Sequence, residues 1–227
     1  METQEFYIPY DSELQKERFK EQIRISDTYL TLKRLFDIVL SALGIIILSP
    51  VFIIISIIIK ATSPGPVFFK HKRIGYLGED LEIYKFRSMV IDADNFDKYF
   101  TPQQKKIFKD NFKLEDDPRI TKIGKFLRKT SLDELPQLFN ILKGQMSIVG
   151  PRPIVTDEIK KYGIYANTYF SVKPGLTGLW QVCGRSATTY EKRVLLDARY
   201  VHSLSLLNDL KIILKTFVVV ITEKGAC

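Results

Sequence analysis

The chain is poor in the residues that build several common kinds of site. It has two cysteines and two histidines in 227 residues. Cys183 and Cys227 stand far apart with no C-x-x-C pair, which excludes a disulfide scaffold and fits a reducing compartment. With only His71 and His202, a zinc site or a Ser–His nucleophile pair has almost nothing to draw on. No G-x-x-x-x-G-K-[ST] or G-x-G-x-x-G stretch occurs, so the standard glycine-rich nucleotide loops are missing. Internal repeats and low-complexity linkers are absent too. At 45% hydrophobic and 12% aromatic residues the chain is not disordered. Acidic residues are in deficit, 26 against 34 Lys and Arg, leaving a net charge of +8. That balance calls for an anionic partner: nucleic acid, a phospholipid surface or a nucleotide substrate.

The strongest positive signal is LFDIVLSALGIIILSPVFIIISIII, Leu35 to Ile59. As a straight helix it reaches about 37 Å, and about 20 residues suffice to cross the hydrocarbon of a bilayer. Asp37 is its only charge and stands near the entrance, where Lys33 or Arg34 can pair with it. Ser49-Pro50 falls near the middle. Pro50 removes one helical hydrogen bond and crowds the preceding turn, so a kink or break is expected there, with Ser49 able to satisfy a freed carbonyl. Lys33 and Arg34 lie on one flank, and Lys60, Lys70, Lys72 and Arg73 on the other. Basic residues favour the cytoplasmic face, so two basic flanks favour a bent, re-entrant helix over a proline-kinked single crossing. Residues 1–31 are polar and lack a signal-peptide pattern, and Asp11 to Ser26 reads as an exposed helix.

Beyond the turn cluster at Thr62 to Pro66, Val67 to Arg73 and Leu81 to Phe86 read as strands joined by a loop holding Gly75 and Gly78. Asp92 to Phe112 reads as two solvated helices split at Thr101-Pro102. ITKIGKFLRK, Ile120 to Lys129, places Ile123, Phe126 and Leu127 opposite its lysines, a pattern that suits a lipid interface and the protein's own core equally. Tyr190 to His202 and Asn208 to Val220 read as helices, the second too short to span a membrane comfortably.

Between them lies Thr130-Ser131-Leu132-Asp133-Glu134-Leu135-Pro136. Ser131 and Glu134 have capping-box spacing, and Leu135, Leu138, Phe139 and Leu142 form an apolar stripe at helical period. A helix is therefore expected to start at Ser131, with its positive end favouring the ionised carboxylates. Carboxylates with arginine and lysine, and no histidine pair, suit phosphoryl transfer: a divalent cation on the carboxylates, and arginine on phosphate oxygens.

KRLFDIVLSALGIIILSPVF, SPGPVFFKHKRIGYLG, IYKFRSM, DDPRITKIGKFLRKTSLDELPQLFNILKGQMSIVGPRP, VKPGLTGLWQVCGR and DARYV with LNDLKIILKT together resemble the bacterial sugar transferases, monotopic phosphoglycosyl transferases acting on polyprenol phosphate. The likeness runs from about Lys33 to Thr222. It implies transfer of a sugar-1-phosphate from a UDP-sugar to polyprenol (undecaprenyl) phosphate with release of UMP, an early step of exopolysaccharide, capsule, O-antigen or glycoprotein glycan assembly. Asp133 maps onto the family's nucleophile, which forms a covalent phosphosugar intermediate, and Glu134 onto its partner carboxylate, the pair holding Mg²⁺. Lys85, Arg128, Arg152, Arg185 and Asp197 match positions lining the family's site, Arg152 and Arg185 for phosphate or uridine. Ser49 and Pro50 match its helix-breaking pair. Cys183 stands where the family usually has Asn or Ser.

The resemblance thus implies an α+β, mostly helical, membrane-associated fold. It has a polar extension over 1–31, a re-entrant helix over 32–60, and a catalytic domain over 61–227 with interfacial helices and a small β-hairpin or sheet. The implied location is the cytoplasmic face of the bacterial inner membrane, with inner-membrane phospholipid as a partner, a homodimer allowed, and no nucleic acid. A membrane-anchored assembly protein is the alternative; it would need neither Asp133 nor Glu134. A two-carboxylate glycosidase is disfavoured, since adjacent carboxylates do not easily straddle a glycosidic bond. The donor sugar is not encoded in any motif here.

Overall fold

The computed structural model describes residues 25–111, 114, 116–184 and 188–221. The expected exposed helix over Asp11 to Ser26 lies outside them except for Ile25 and Ser26, which are not helical, and Arg185 lies outside them too. The fold is α+β and dominated by helix, as expected. Helix α1, Asp27–Thr62, is 36 residues long. It begins inside the stretch read as a polar extension and runs two residues past its expected end. It also continues through Ser49-Pro50, where a break was expected. The Ser49 hydroxyl donates to the Ile46 carbonyl at 2.8 Å, the oxygen that Pro50 leaves without an amide donor, so the ladder is bridged locally.

One side of α1 is apolar and open. Ile46, Ile47, Ile53 and Ile57 are all at least 60% exposed. An exposed apolar surface of this extent marks a membrane or partner surface, and the helix is long and apolar enough to cross a bilayer. The other side packs against the rest of the protein, burying Asp37, Ser41, Phe52, Ile55 and Ile59. Near its start, Arg34 donates to the Ile141 and Leu142 carbonyls at 2.7 and 2.8 Å. Lys33 meets Asp209 at 2.7 Å. Asp37 does not form the expected hydrogen-bonded pair with either cation; it accepts from the Ile148 amide at 2.8 Å and the Ser147 hydroxyl at 3.0 Å. Backbone and hydroxyl donors satisfy that buried carboxylate from inside the protein. Near its end, Phe52, Ile55 and Ile59 join Phe86 and Leu127 in one core cluster, with Phe52 5.3 Å from Phe86 and 5.8 Å from Phe139 between ring centres.

Strands β1, Phe68–Ile74, and β2, Asp80–Phe86, form an antiparallel hairpin, each within a residue or so of its expected bounds. Helices α2, Phe96–Tyr99, and α3, Pro102–Asn111, follow. Most of their described residues are exposed, as expected, while their phenylalanines turn to one buried cation. Phe96, Phe100 and Phe108 surround the Arg119 guanidinium at 4.4 to 5.1 Å, while Asp117 takes it at 2.6 and 2.9 Å. A buried ion pair of this kind holds through bidentate geometry and ring faces. Helix α4, Lys122–Thr130, is capped by Thr121, whose hydroxyl accepts from the Gly124 amide at 3.0 Å. It divides its apolar residues: Leu127 is buried in the core and Phe126 is 53% exposed.

Helix α5, Gln137–Leu142, packs under α1, where Gly44 lets Leu138 approach. Strands β3, Ser147–Val149, and β4, Gly175–Thr177, pair in parallel. Their backbones are so close that a Cβ on Gly175 would lie 2.1 Å from the Gly150 nitrogen. Short helices α6, Ile159–Tyr162, α7, Ala166–Phe170, and α8, Leu179–Val182, complete this layer. Helix α9, Tyr190–His202, has the expected bounds and a Thr189 cap. Helix α10, Leu206–Ile221, docks on α1 through Asp209, which accepts from Lys33, Tyr29 and Tyr200.

Candidate active site

The chain does not start a helix at Ser131. Ser131 has φ 59°, ends α4 in the left-handed conformation and makes no side-chain cap. A 3-10 turn over Leu132–Glu134 follows, and α5 begins only after Pro136. The expected capping box fails because Glu134 has stronger partners than a backbone amide. Its Oε1 accepts from Lys85 Nζ at 2.7 Å and Arg152 NH2 at 3.1 Å. Two charge-assisted contacts outweigh one neutral cap bond.

That choice sets the charges of the two neighbours. Despite the desolvation that pushes it the other way, Arg152 and Lys85 hold Glu134 well below the usual carboxylate range. Asp133 goes the opposite way. Burial raises it, the Glu134 charge adds to the rise, and Lys85, Arg128 and Arg152 only partly offset them, so it titrates above an ordinary aspartate. The expectation of a carboxylate depressed by a helix terminus is therefore corrected: burial dominates. Among the described residues no protein donor engages the Asp133 carboxylate. Both protein contacts to Glu134 fall on a single oxygen.

Each cation is positioned by its own element. Lys85 lies on β2, beside Tyr84, whose amide donates to Asn140 Oδ1 at 2.9 Å; Asn140 Nδ2 donates back to the Glu82 carbonyl at 2.7 Å. Asn140, on α5, thus stitches the strand edge to the helix that follows the carboxylates. Arg128 donates from Nε to Ser88 Oγ at 2.9 Å. Gly124, one turn earlier, faces the Ser88 carbonyl so closely that a Cβ would stand 1.9 Å from that oxygen. Arg152 lies between two prolines, and its carbonyl accepts from the Tyr169 hydroxyl at 2.9 Å. The structure therefore brings Lys85, Arg128 and Arg152 around Asp133 and Glu134.

Asp197 does not join them. It is buried on α9, accepting from the Tyr162 hydroxyl at 2.8 Å, with its second oxygen buried and unpartnered. The Tyr162 ring lies 4.7 Å from that of Tyr169, tilted by 57°, so Asp197 backs the Arg152 turn from behind. Burial pushes its carboxyl up to about 7. An aspartic acid whose folded pKa exceeds its unfolded value of about 3.9 stabilises the fold fully below that lower value, and loses the contribution as pH rises through the folded one. Asp197→Asn is expected to flatten the dependence of melting temperature on pH between about 4 and 7. Thermal unfolding in detergent at several pH values checks this; an unchanged slope removes Asp197 as its source.

Sequence reasoning missed two residues of this site. Arg73 and His71 lie on β1, whose register pairs Phe69 with Lys85, His71 with Ile83 and Arg73 with Leu81. Strand alternation puts all of these on the face that carries Lys85. Counting by two from Phe69 would have found them.

A long apolar helix against a cluster of two carboxylates and several cations makes a candidate enzyme site beside a membrane-type surface. Residues 28–223 match the bacterial sugar transferase family, and the chain belongs to it. It is a transferase. It is 44% identical over 197 residues to the exopolysaccharide production protein ExoY of Sinorhizobium fredii, covering 86% of this chain and 87% of that protein. It is 48% identical over 199 residues to the undecaprenyl-phosphate galactose phosphotransferase of Salmonella typhimurium, covering 86% of this chain and 41% of that one. To the UDP-glucose:undecaprenyl-phosphate glucose-1-phosphate transferase of Escherichia coli it is 42% identical, covering 82% of this chain and 39% of that protein. Against these last two the chain spans about two fifths of the relative's length.

Proposed function

We propose that the chain transfers a sugar-1-phosphate from a UDP-sugar to polyprenol phosphate and releases UMP; the name of the Escherichia coli relative, which gives a UDP-sugar, undecaprenyl phosphate and transfer of a sugar-1-phosphate, supports this reading. The observation that carries this reading is the Asp133 carboxylate, without a protein hydrogen-bond donor among the described residues and flanked by Lys85, Arg128 and Arg152. Such a carboxylate is a nucleophile waiting for an electrophile, and the cations suit the phosphoryl oxygens that bring it. An Asp133 oxygen attacks the sugar-bearing β-phosphorus. The bond from that phosphorus to the bridging oxygen breaks, and the electron pair leaves with UMP. A polyprenol phosphate oxygen then attacks the same phosphorus, the bond to Asp133 breaks, and a polyprenol diphosphate sugar departs. Arg152 and Lys85 hold Glu134 ionised beside the reacting atoms, and Arg128 faces the charge on Asp133.

The free oxygens of Asp133 and the uncommitted Oε2 of Glu134 fit a hard divalent cation such as Mg²⁺, with the remaining positions left to water and phosphate. When bound, Mg²⁺ neutralises charge on the diphosphate.

The membrane topology belongs to the same reading. Both ends of α1 are fastened to one catalytic body, through Lys33 and Asp37 at one end and Ile59 at the other. This supports a placement in which both ends of the helix stay on one side of the membrane, with the site on the cytoplasmic face of the inner membrane. A cysteine placed in the N-terminal tail is expected to stay unlabelled by a membrane-impermeant reagent in intact cells; external labelling overturns that topology. The reaction is checked by UMP release in purified membranes over a panel of UDP-sugars with undecaprenyl phosphate and Mg²⁺. Release from no donor overturns the reading, and the preferred donor names the sugar.

A further inference from the structure

His71 occupies an unusual position for an imidazole. It sits on β1, where burial disfavours its protonation and the charges of Arg73, Lys85, Arg152 and Arg128 add to that; together they hold it down to about 3, so it is neutral at any working pH. The tautomer follows from the neighbour. His71 Nδ1 lies 3.2 Å from Arg73 NH2. A guanidinium has only donors, so Nδ1 is the acceptor and the proton resides on Nε2. Arg73 is itself held from behind by Glu158 at 3.8 Å, which keeps the ring oriented. The Phe69 ring, 5.7 Å away, flanks the imidazole.

This leaves an Nε2–H with no protein acceptor among the described residues. His71 is half-buried, and Nε2 is not fully enclosed. An oriented, neutral donor in the middle of permanent cations is matched to an anionic oxygen. Its neutrality matters: the surrounding cations already supply the charge, and a further one would repel them, whereas a neutral N–H adds direction at no such cost.

We propose that His71 is a substrate-binding residue that donates its Nε2–H to a phosphoryl oxygen in the site. This deepens the proposed function and rests on it for the substrate class. The phosphoryl oxygen comes from the nucleotide diphosphate or from the lipid phosphate, and the two half-reactions separate them.

The variants are His71→Leu, which removes the donor, and His71→Gln, which keeps an N–H near the place of Nε2. UMP release from the preferred UDP-sugar in single turnover, without lipid, reads the first half-reaction. Chase of the loaded enzyme with undecaprenyl phosphate in detergent micelles reads the second. His71→Leu is expected to slow one or both about tenfold to a hundredfold, the size of a lost hydrogen bond to a charged group, with His71→Gln recovering most of the loss. A defect in the first step alone assigns the donor to the diphosphate, and in the second alone to the lipid phosphate. Binding of inorganic pyrophosphate to the purified protein gives a readout independent of turnover, with weaker binding expected for His71→Leu and near-native binding for His71→Gln. Unchanged rates and pyrophosphate binding in a folded His71→Leu protein overturn the proposal. So does a His71→Gln variant that melts like the wild type yet is as impaired as His71→Leu, because a donor would then not be what the site needs. If the wild type releases UMP from no donor while pyrophosphate binding still depends on His71, the transferase reading fails and the anion contact stands.

Discussion

Asp133→Asn is expected to abolish UMP release, with a loss on the order of 10⁴-fold or more, because the step that it removes is bond formation itself. The amide is isosteric, so the 3-10 turn and the contacts of Glu134 with Lys85 and Arg152 should persist. Folding should be intact, since the substitution puts a neutral group where burial already penalises a charge. The expected result is therefore a normally melting protein with no activity. Radiolabelled donor carrying its label in the sugar phosphate should remain on the wild-type chain after denaturation without lipid acceptor, and should not remain on the variant. Full UMP release by Asp133→Asn would sink the nucleophile assignment, whatever the remaining site does.

Glu134→Gln should have a different signature. Oε1 of this residue is the common acceptor of Lys85 and Arg152; glutamine keeps an oxygen there but removes the charge that offsets the two cations. The side chain does not carry the phosphoryl group, so the covalent intermediate should still form, but slowly. A loss of roughly 10²–10³-fold is expected, the size found when one preorganised electrostatic contact is deleted. If Glu134 shares a divalent cation with Asp133, the Mg²⁺ concentration needed for half-maximal rate should rise as well. A variant with wild-type rate and an unchanged Mg²⁺ requirement would leave Glu134 as a structural counter-ion only. Loss through unfolding is separable, because melting temperature and labelling are read on the same preparation.

How much of this could be read from the sequence differs by element. Helix α9 has the expected bounds because Thr189 caps it and its apolar positions recur at helical spacing, both local properties. The hairpin of β1 and β2 is off by a residue or so for the same local reason. Asp133 and Glu134 stand out from local pattern, yet the pattern assigned them the wrong mechanics. The Ser131–Glu134 spacing invites a capping box, and only long-range partners on β2 and the Arg152 turn draw Glu134 away. Asp37 failed in the same manner: sequence neighbours offered it Lys33 and Arg34, and the fold offered it the amide of Ile148. His71 and Arg73 were within reach of strand alternation, but nothing local distinguished them from the other basic residues of VFFKHKR. Asp197 matched a motif position, while its location behind the Arg152 turn depends on the long-range packing of Tyr162 against Tyr169.

Helix α1 carries one more consequence. Phe52, Ile55 and Ile59 share their core with Phe86 and Leu127, and Gly44 rests on Leu138. A cut between residues 62 and 68 would therefore slice through a hydrophobic core rather than sever a tether. The exposed remainder would present Phe86, Leu127 and Leu138 to water and would aggregate or fail to fold. No water-soluble fragment of this enzyme can be expected to retain its chemistry. The long apolar helix and the turn that carries Asp133 and Glu134 are one folding unit.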